Sequence, residues 1–392
     1  MYIKSRFVCI CFLLCFISSS YAGENSSTAD SEIQVLIDVS GSMKQNDPQN
    51  MRISALKLLI NLLPDGVQTG IWLFAENARI LVETGVVNEK WKDNALKQIR
   101  KVHSRGLFTN IEDAIQNSAQ QWFETATQQK RHLILLTDGM VDVSKDIMQS
   151  AESRERVMME QIPLLQQAGV EVQTIALSEN ADAILLDKLA FDTDGWSETA
   201  QTAEQLQKVF FKIFKKVSPL DTLPIKDNSF TVDAGVNEFS LLIFKKPNSP
   251  VSQLITPDND KIMNADNKID VTWLNEKNYD LITVKQPTAG EWKIIADMDP
   301  DNQVMIVTDL KFQLDGVPNH VGVNESFDVT AFFTEKGQLI SRKDFLSLID
   351  ISVEQTNQKL RREMRVVEDK VGQFSIRLGS KWEKGTYTVR FI

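Results

Sequence analysis

Five side chains define the chemistry open to this chain. Asp38, Ser40 and Ser42 lie in the run Asp38-Val39-Ser40-Gly41-Ser42. Thr109 lies in Gly106-Leu107-Phe108-Thr109-Asn110, and Asp138 in Thr137-Asp138-Gly139. Together they offer two carboxylates and three hydroxyls, with no imidazole and no thiolate. Hard cations take oxygen ligands of this kind and keep several waters. The set suits Mg²⁺, Mn²⁺ or Ca²⁺ and does not suit zinc. In an extended Asp-x-Ser-x-Ser loop, alternation sends three side chains the same way. Gly41 would let the backbone turn tightly around an ion. The plain alternative is that Asp38 and Asp138 merely cap loops and helices.

Bringing these residues together requires elements that end side by side. Residues 33–38, 69–75, 132–137 and 170–176 read as strands, with 78–83 as a hairpin mate of the second. Residues 52–63, 90–102, 110–123, 154–168, 183–190 and 201–217 carry helical spacing, the fourth with a kink expected at Pro163. Strands alternating with such helices predict an α/β fold, a doubly wound and mainly parallel sheet covered on both faces. Ligands of such sheets bind at the carboxyl ends of the strands. Asp38 and Asp138 both follow strands there. Asp113, one turn into the helix after Thr109, reads as a solvated or capping acid. The segment 140–151 reads either as a rim of the site or as an ordinary surface excursion.

After Ser218-Pro219 the rhythm changes to short strand-like runs separated by Pro, Asn, Asp and Gly. These predict one or two all-β, immunoglobulin-like sandwich domains. The expected division is 1–22 as a signal peptide, 32–217 as the α/β domain, and 225–308 and 309–392 as the β-sandwiches. The chain stops inside a strand-like run. That leaves open an abrupt last sheet, an incomplete sequence, or a C-terminal anchor beyond Ile392.

The motif resembles the metal-ion-dependent adhesion site of the von Willebrand factor type A domain, which shares the integrin I-domain fold. That family's pattern is Asp-x-Ser-x-Ser followed by a distant Thr and a distant Asp. Asp38, Ser40, Ser42, Thr109 and Asp138 match all five positions in order, and the likeness covers roughly residues 32–217. The resemblance implies that the three hydroxyls ligate the ion, with the two carboxylates binding directly or through water. It also implies an open coordination position for an Asp or Glu of a protein partner. A weaker likeness lies at Pro287-Thr288-Ala289-Gly290-Glu291-Trp292. This run resembles the edge of sandwich domains that follow type A domains in hemicentin-like and chloride-channel-accessory proteins. Trp292 reads there as a core anchor.

The 392 residues carry a net charge of −10, which argues against a nucleic-acid partner. Lys4 and Arg6, the apolar run 7–17 and the small residues Ser20 and Ala22 form a secretory signal. The run is short for a membrane span, so membrane association would come only through a partner or a missing C-terminal anchor. All three cysteines lie in that signal, leaving no disulfide framework, thiolate site or cysteine nucleophile. An exported chain without cysteines points to a bacterial periplasm or cell surface. His103, His132 and His320 are dispersed, and no His-Glu-x-x-His, Gly-x-Ser-x-Gly or Walker loop appears. The expected function is therefore a cation-dependent binding module and not an enzyme. Two rivals stand: an envelope assembly subunit whose metal only stabilises the fold, and a hydrolase with an unrecognised site.

Overall fold

The computed structural model describes residues 31–392, except 126, 128, 218–220, 247, 265, 267, 269, 298, 309, 336–337, 348, 356–359, 368 and 380–381. The expected signal segment lies outside the described residues. The first unit runs β1 (Ser31–Asp38), α1 (Met43–Asn46), α2 (Met51–Leu62), β2 (Gln68–Phe74), β3 (Ala78–Val86), α3 (Glu89–Gln98), α4 (Ile111–Glu124), β4 (Lys130–Thr137), α5 (Ile147–Arg156), α6 (Ile162–Gln167), β5 (Val170–Ala176), α7 (Ala183–Asp192), β6 (Ser197–Thr199) and α8 (Ala203–Val217). Its six strands form one sheet in the order β3-β2-β1-β4-β5-β6. Every pairing is parallel except the β2–β3 hairpin. The α/β, mainly parallel fold expected from the sequence is therefore present.

Both faces of the sheet are covered, and the strand pleat decides which side chain goes where. Ile33, Val35 and Ile37 of β1 enter one core with α2, α3 and α8, whereas Leu36 enters the opposite core with α4, α6 and α7. β4 divides the same way, with Ile134 and Leu136 on one face and Leu133 and Leu135 on the other. This is why these strands read as continuous apolar runs and not as alternating ones. The expected kink before Pro163 takes the form of a π-type turn at Val157–Gln161, with α6 restarting around the proline. Such a turn absorbs the hydrogen bond that proline cannot donate.

Antiparallel all-β structure follows. A five-stranded sheet joins β7 (Asp221–Leu223), β9 (Val236–Phe244), β12 (Val271–Asn275), β13 (Tyr279–Lys285) and β15 (Gln303–Thr308). A four-stranded sheet joins β8 (Ser229–Val232), β10 (Gln253–Ile255), β11 (Lys261–Ile262) and β14 (Gly290–Ile295). The two share a core in which Trp292 is 2% exposed and meets Phe239 edge-on at 5.1 Å. Trp292 is thus the core anchor expected for it. Two further antiparallel sheets, built from residues 310–391, enclose another core around Val329, Val353 and Phe374.

The five-stranded sheet also packs its other face on the first unit. Leu242, Phe244, Tyr279, Leu281 and Met305 belong to the same apolar cluster as Phe211 and Phe214 of α8. Lys57–Glu276 at 2.8 Å and Lys208–Asp299 at 3.0 Å flank this contact. Among the described residues no helix is long and apolar enough to cross a membrane.

Candidate metal centre

The strand order reverses between β1 and β4, the crevice where sheets of this kind receive ligands. Asp38 ends β1, and Asp138 follows the end of β4. Register brings them together, because Ile37 pairs with Leu136 and so sets Asp38 beside Thr137. Asp38 and Asp138 are both 0% exposed, Ser40 is 2% and Thr109 5%, while Ser42 lies at the solvent-facing mouth.

A chain of hydrogen bonds links four of the five side chains. The Ser40 amide donates to Asp38 Oδ1 at 2.8 Å, and the Thr137 hydroxyl donates to Oδ2 at 2.6 Å. Ser40 Oγ lies 2.9 Å from Ser42 Oγ, and Ser42 Oγ donates to Asp138 Oδ1 at 2.8 Å. Thr109 approaches from its own loop. A Cβ built on Gly139 would stand 3.6 Å from Thr109 Oγ1 and 3.8 Å from Ser42 Oγ. Asp38, Ser40, Ser42 and Asp138 are therefore linked in one hydrogen-bonded chain, with Thr109 near its Ser42 end. The capping alternative accounts for part of this: Asp38 does hold the Ser40 amide. It does not account for Asp138, whose oxygens accept from side chains, or for Ser42, which opens α1 without capping it.

The electrostatics are those of a site short of positive charge. Burial pushes the Asp38 carboxyl up from 3.8 to about 6. Hydrogen bonds from Ser40 and Thr137 oppose that rise, and the neighbouring Asp138 charge adds to it. Among the described residues neither carboxylate pairs with a Lys or Arg side chain. A hard cation would relieve both the burial and the mutual repulsion, so the donor set fits one. No three His, Cys, Asp or Glu residues gather among the described residues. A set of two acids and three hydroxyls has no such triad to offer.

Three supports were not legible in the sequence. Asn46 of α1 donates Nδ2 to Asp138 Oδ2 at 2.9 Å. Arg52 was read as the start of an apolar helix, yet its side chain is 0% exposed. Its Nε bonds Asp47 Oδ2 at 2.6 Å, Nη1 the Asp38 carbonyl at 2.5 Å, and Nη2 the Ser104 hydroxyl at 2.8 Å. One guanidinium thus ties the end of β1 to the loop that carries Thr109. The third support is Asp142, whose backbone exchanges hydrogen bonds with that of Thr109 at 2.6 and 3.1 Å. Part of the segment 140–151 therefore holds the site. The only advance signal was a charged residue, Arg52, at a position where helical spacing called for burial.

Gly41 differs from its expected role. It is not among the positive-φ glycines, so it makes no left-handed turn. A Cβ there would instead meet the Gly106 carbonyl at 3.1 Å, and a Cβ on Gly106 would meet Ala75 Cβ at 2.2 Å. Both glycines serve the close approach of two loops, joined by the Gly106 amide on the Val39 carbonyl at 2.9 Å. Asp113 accepts from the Ala78 amide at 2.6 Å and fixes the β2–β3 turn, as a capping acid would. Asn110 caps α4 by accepting from the Asp113 amide at 3.1 Å.

Residues 32–212 match the family model of the von Willebrand factor type A domain. Among solved structures, a von Willebrand factor type A protein from Catenulispora acidiphila is 15% identical with a TM-score of 0.40, covering 79% of this chain and 64% of that one. The PilB minor pilin from Streptococcus sanguinis is 15% identical with a TM-score of 0.38, covering 48% of this chain and 61% of that one. Proximal thread matrix protein 1 from the mussel byssus, with a zinc-occupied MIDAS motif, is 21% identical with a TM-score of 0.38, covering 48% of this chain and 46% of that one. This chain spans less than two thirds of the length of each. No curated protein matches its sequence. The α/β unit is thus the part of the chain that matches the von Willebrand factor type A model, and antiparallel all-β sheets follow it.

Proposed function

We propose that the chain is an exported, divalent-cation-dependent protein-binding module. Asp38, Ser40, Ser42, Thr109 and Asp138 would hold the cation, Mg²⁺ or else Mn²⁺ or Ca²⁺. The observation that carries this is two fully buried carboxylates without a cationic partner among the described residues, set beside the hydroxyls of Ser40, Ser42 and Thr109. Bound there, the cation supplies an electrophile that accepts a carboxylate oxygen of a partner protein. The chain's own residues orient and shield the site. Arg52 fixes the two loops, and Asn46 holds Asp138. The rim suits a protein surface, since Leu107 is 77%, Met140 59% and Ile147 80% exposed. The unit acts in a periplasm or at a cell surface, with the β-sheets behind it as spacers. No catalytic role is proposed.

A second reading has its own support. Each carboxylate already has internal donors, Ser40 and Thr137 on one, Ser42 and Asn46 on the other. A site this self-satisfied could belong to an assembly subunit whose cation serves only the fold. Thermal unfolding of residues 23–392 against Mg²⁺, Mn²⁺, Ca²⁺ and Zn²⁺, with EDTA and Asp138→Ala as controls, tests both. A ligand of the folded state adds about 2.7 kcal/mol at 100 times its dissociation constant. The wild type should gain stability with a hard cation and the variant should not. No gain with any cation would refute both readings. If a gain appears but no acidic peptide binds to the loaded protein, the assembly reading stands alone.

A further inference from the structure

Beside the metal loop runs a groove of about 280 Å³ lined by Val39, Ala75, Glu76, Arg79, His103 and Arg105. It shares a wall with the proposed site: Gly106 forms its end and bridges Ser40. The chain as a whole carries −10, but this loop is basic, with Arg100, Lys101 and Arg105 inside eight residues of Ile99-Arg100-Lys101-Val102-His103-Ser104-Arg105-Gly106. Among the described residues no carboxylate forms an ion pair with Arg79 or Arg105. Glu76, the one acid of the lining, is turned to the Leu107 amide at 2.9 Å.

The hydrogen bonding is short of acceptors. Arg79 Nη2 contacts His103 Nε2, and the Arg105 amide points at His103 Nδ1 from 3.3 Å. Burial, followed by the charges of Arg79, Arg105 and Arg52, lowers the His103 pKa, which keeps the ring neutral. A neutral imidazole accepts at one nitrogen only. In either tautomer His103 can accept from only one of these donors, leaving the other, and the ring N–H, facing the open groove. Donors and positive charge in excess of acceptors suit an anion with planar, paired oxygens.

We infer that this groove receives a second carboxylate of the same partner segment whose first carboxylate meets the cation. The occupant is an acidic peptide stretch of a protein, with two acids two or three residues apart. In extended chain that separation spans roughly 7–11 Å, a short step across the shared wall at Gly106. The inference rests on the proposed metal reading for the first carboxylate only. The groove residues are not part of the five-residue site.

The test uses two capped peptides, Ser-Asp-Gly-Asn-Ser and Ser-Asp-Gly-Asp-Ser, titrated onto residues 23–392 in millimolar Mg²⁺. The di-acid should bind roughly threefold to tenfold tighter at low salt, and the gain should shrink as salt rises. In the double variant Arg79→Gln/Arg105→Gln the gain should vanish while binding of the mono-acid is unchanged. Equal binding of the two peptides to the wild type, or a gain that survives the double variant, overturns the inference. The metal reading fails separately. Mono-acid binding indifferent to EDTA and to Asp138→Ala would remove it, while an arginine-dependent gain of the di-acid would still hold the groove in place.

Discussion

Replacing Asp38 by Asn should stabilise the cation-free protein while abolishing its response to cation. The carboxyl is fully buried and its pKa is about 6 against 3.8. The folded state therefore binds the proton more tightly than the unfolded one. That stabilisation is complete below pH 3.8 and is lost as pH rises through 6. Above pH 6 the ionised group costs on the order of 3 kcal/mol, for a rise from 3.8 to about 6. The same linkage makes the cost roughly half as large at pH 5 and smaller still at pH 4. Asn is isosteric, can still accept from the Ser40 amide, and can donate to Thr137 Oγ1. In EDTA at pH 7.5, Asp38→Asn should raise the first thermal transition by up to about 6–12 °C, at roughly 2–4 °C per kcal/mol. The advantage should fall by about half at pH 5. Added Mg²⁺ should raise the wild type and leave the variant where it is. A variant less stable than wild type in EDTA at pH 7.5, or an advantage that ignores pH, would refute the reasoning.

Two further changes probe the supports. Arg52→Ala should cost about 3–5 kcal/mol by urea unfolding, because it strands the buried Asp47 carboxylate and three other acceptors. A cost below about 1 kcal/mol would mean that Arg52 does not clamp the loops. Gly106→Ala should cost about 1–3 kcal/mol, since its Cβ would lie 2.2 Å from Ala75 Cβ. It should also weaken the Mg²⁺-dependent shift, by moving the loop that carries Thr109, and an unchanged shift would separate that loop from the site.

The α/β order was legible because its signals are local and strong. Apolar runs such as Leu133-Ile134-Leu135-Leu136 are buried on both faces, and the structure ends β4 at Thr137 as the sequence suggests. β5 was read residue for residue at Val170–Ala176. The five expected residues were picked out by the family pattern they match, and each stands at or next to a strand end or a helix start. What escaped depends on contacts remote in sequence. Arg52 reaches Ser104 and Asp38 through a fold that helical periodicity cannot foresee. β6 has three residues, too few to show a period. The packing of Phe244 and Tyr279 against α8 joins runs that read as parts of separate domains. The role of Gly41 was misassigned for the same reason, since the atom it must avoid belongs to Gly106.

The site works against its own fold, and that is where its affinity for a cation would come from. Two carboxylates held dry and close together raise the free energy of the empty protein, by the amount Asp38→Asn would recover. Packing elsewhere maintains the arrangement. The β1–β4 register fixes Asp38 and Asp138, and Arg52 neutralises Asp47 beneath them instead of the site above. Spent on Asp47, the guanidinium gives order without charge compensation. At the groove, Arg79 and Arg105 form no ion pair with a carboxylate among the described residues. If the proposed cation and groove readings both hold, the cation would meet a partner's first acid and the arginines its second.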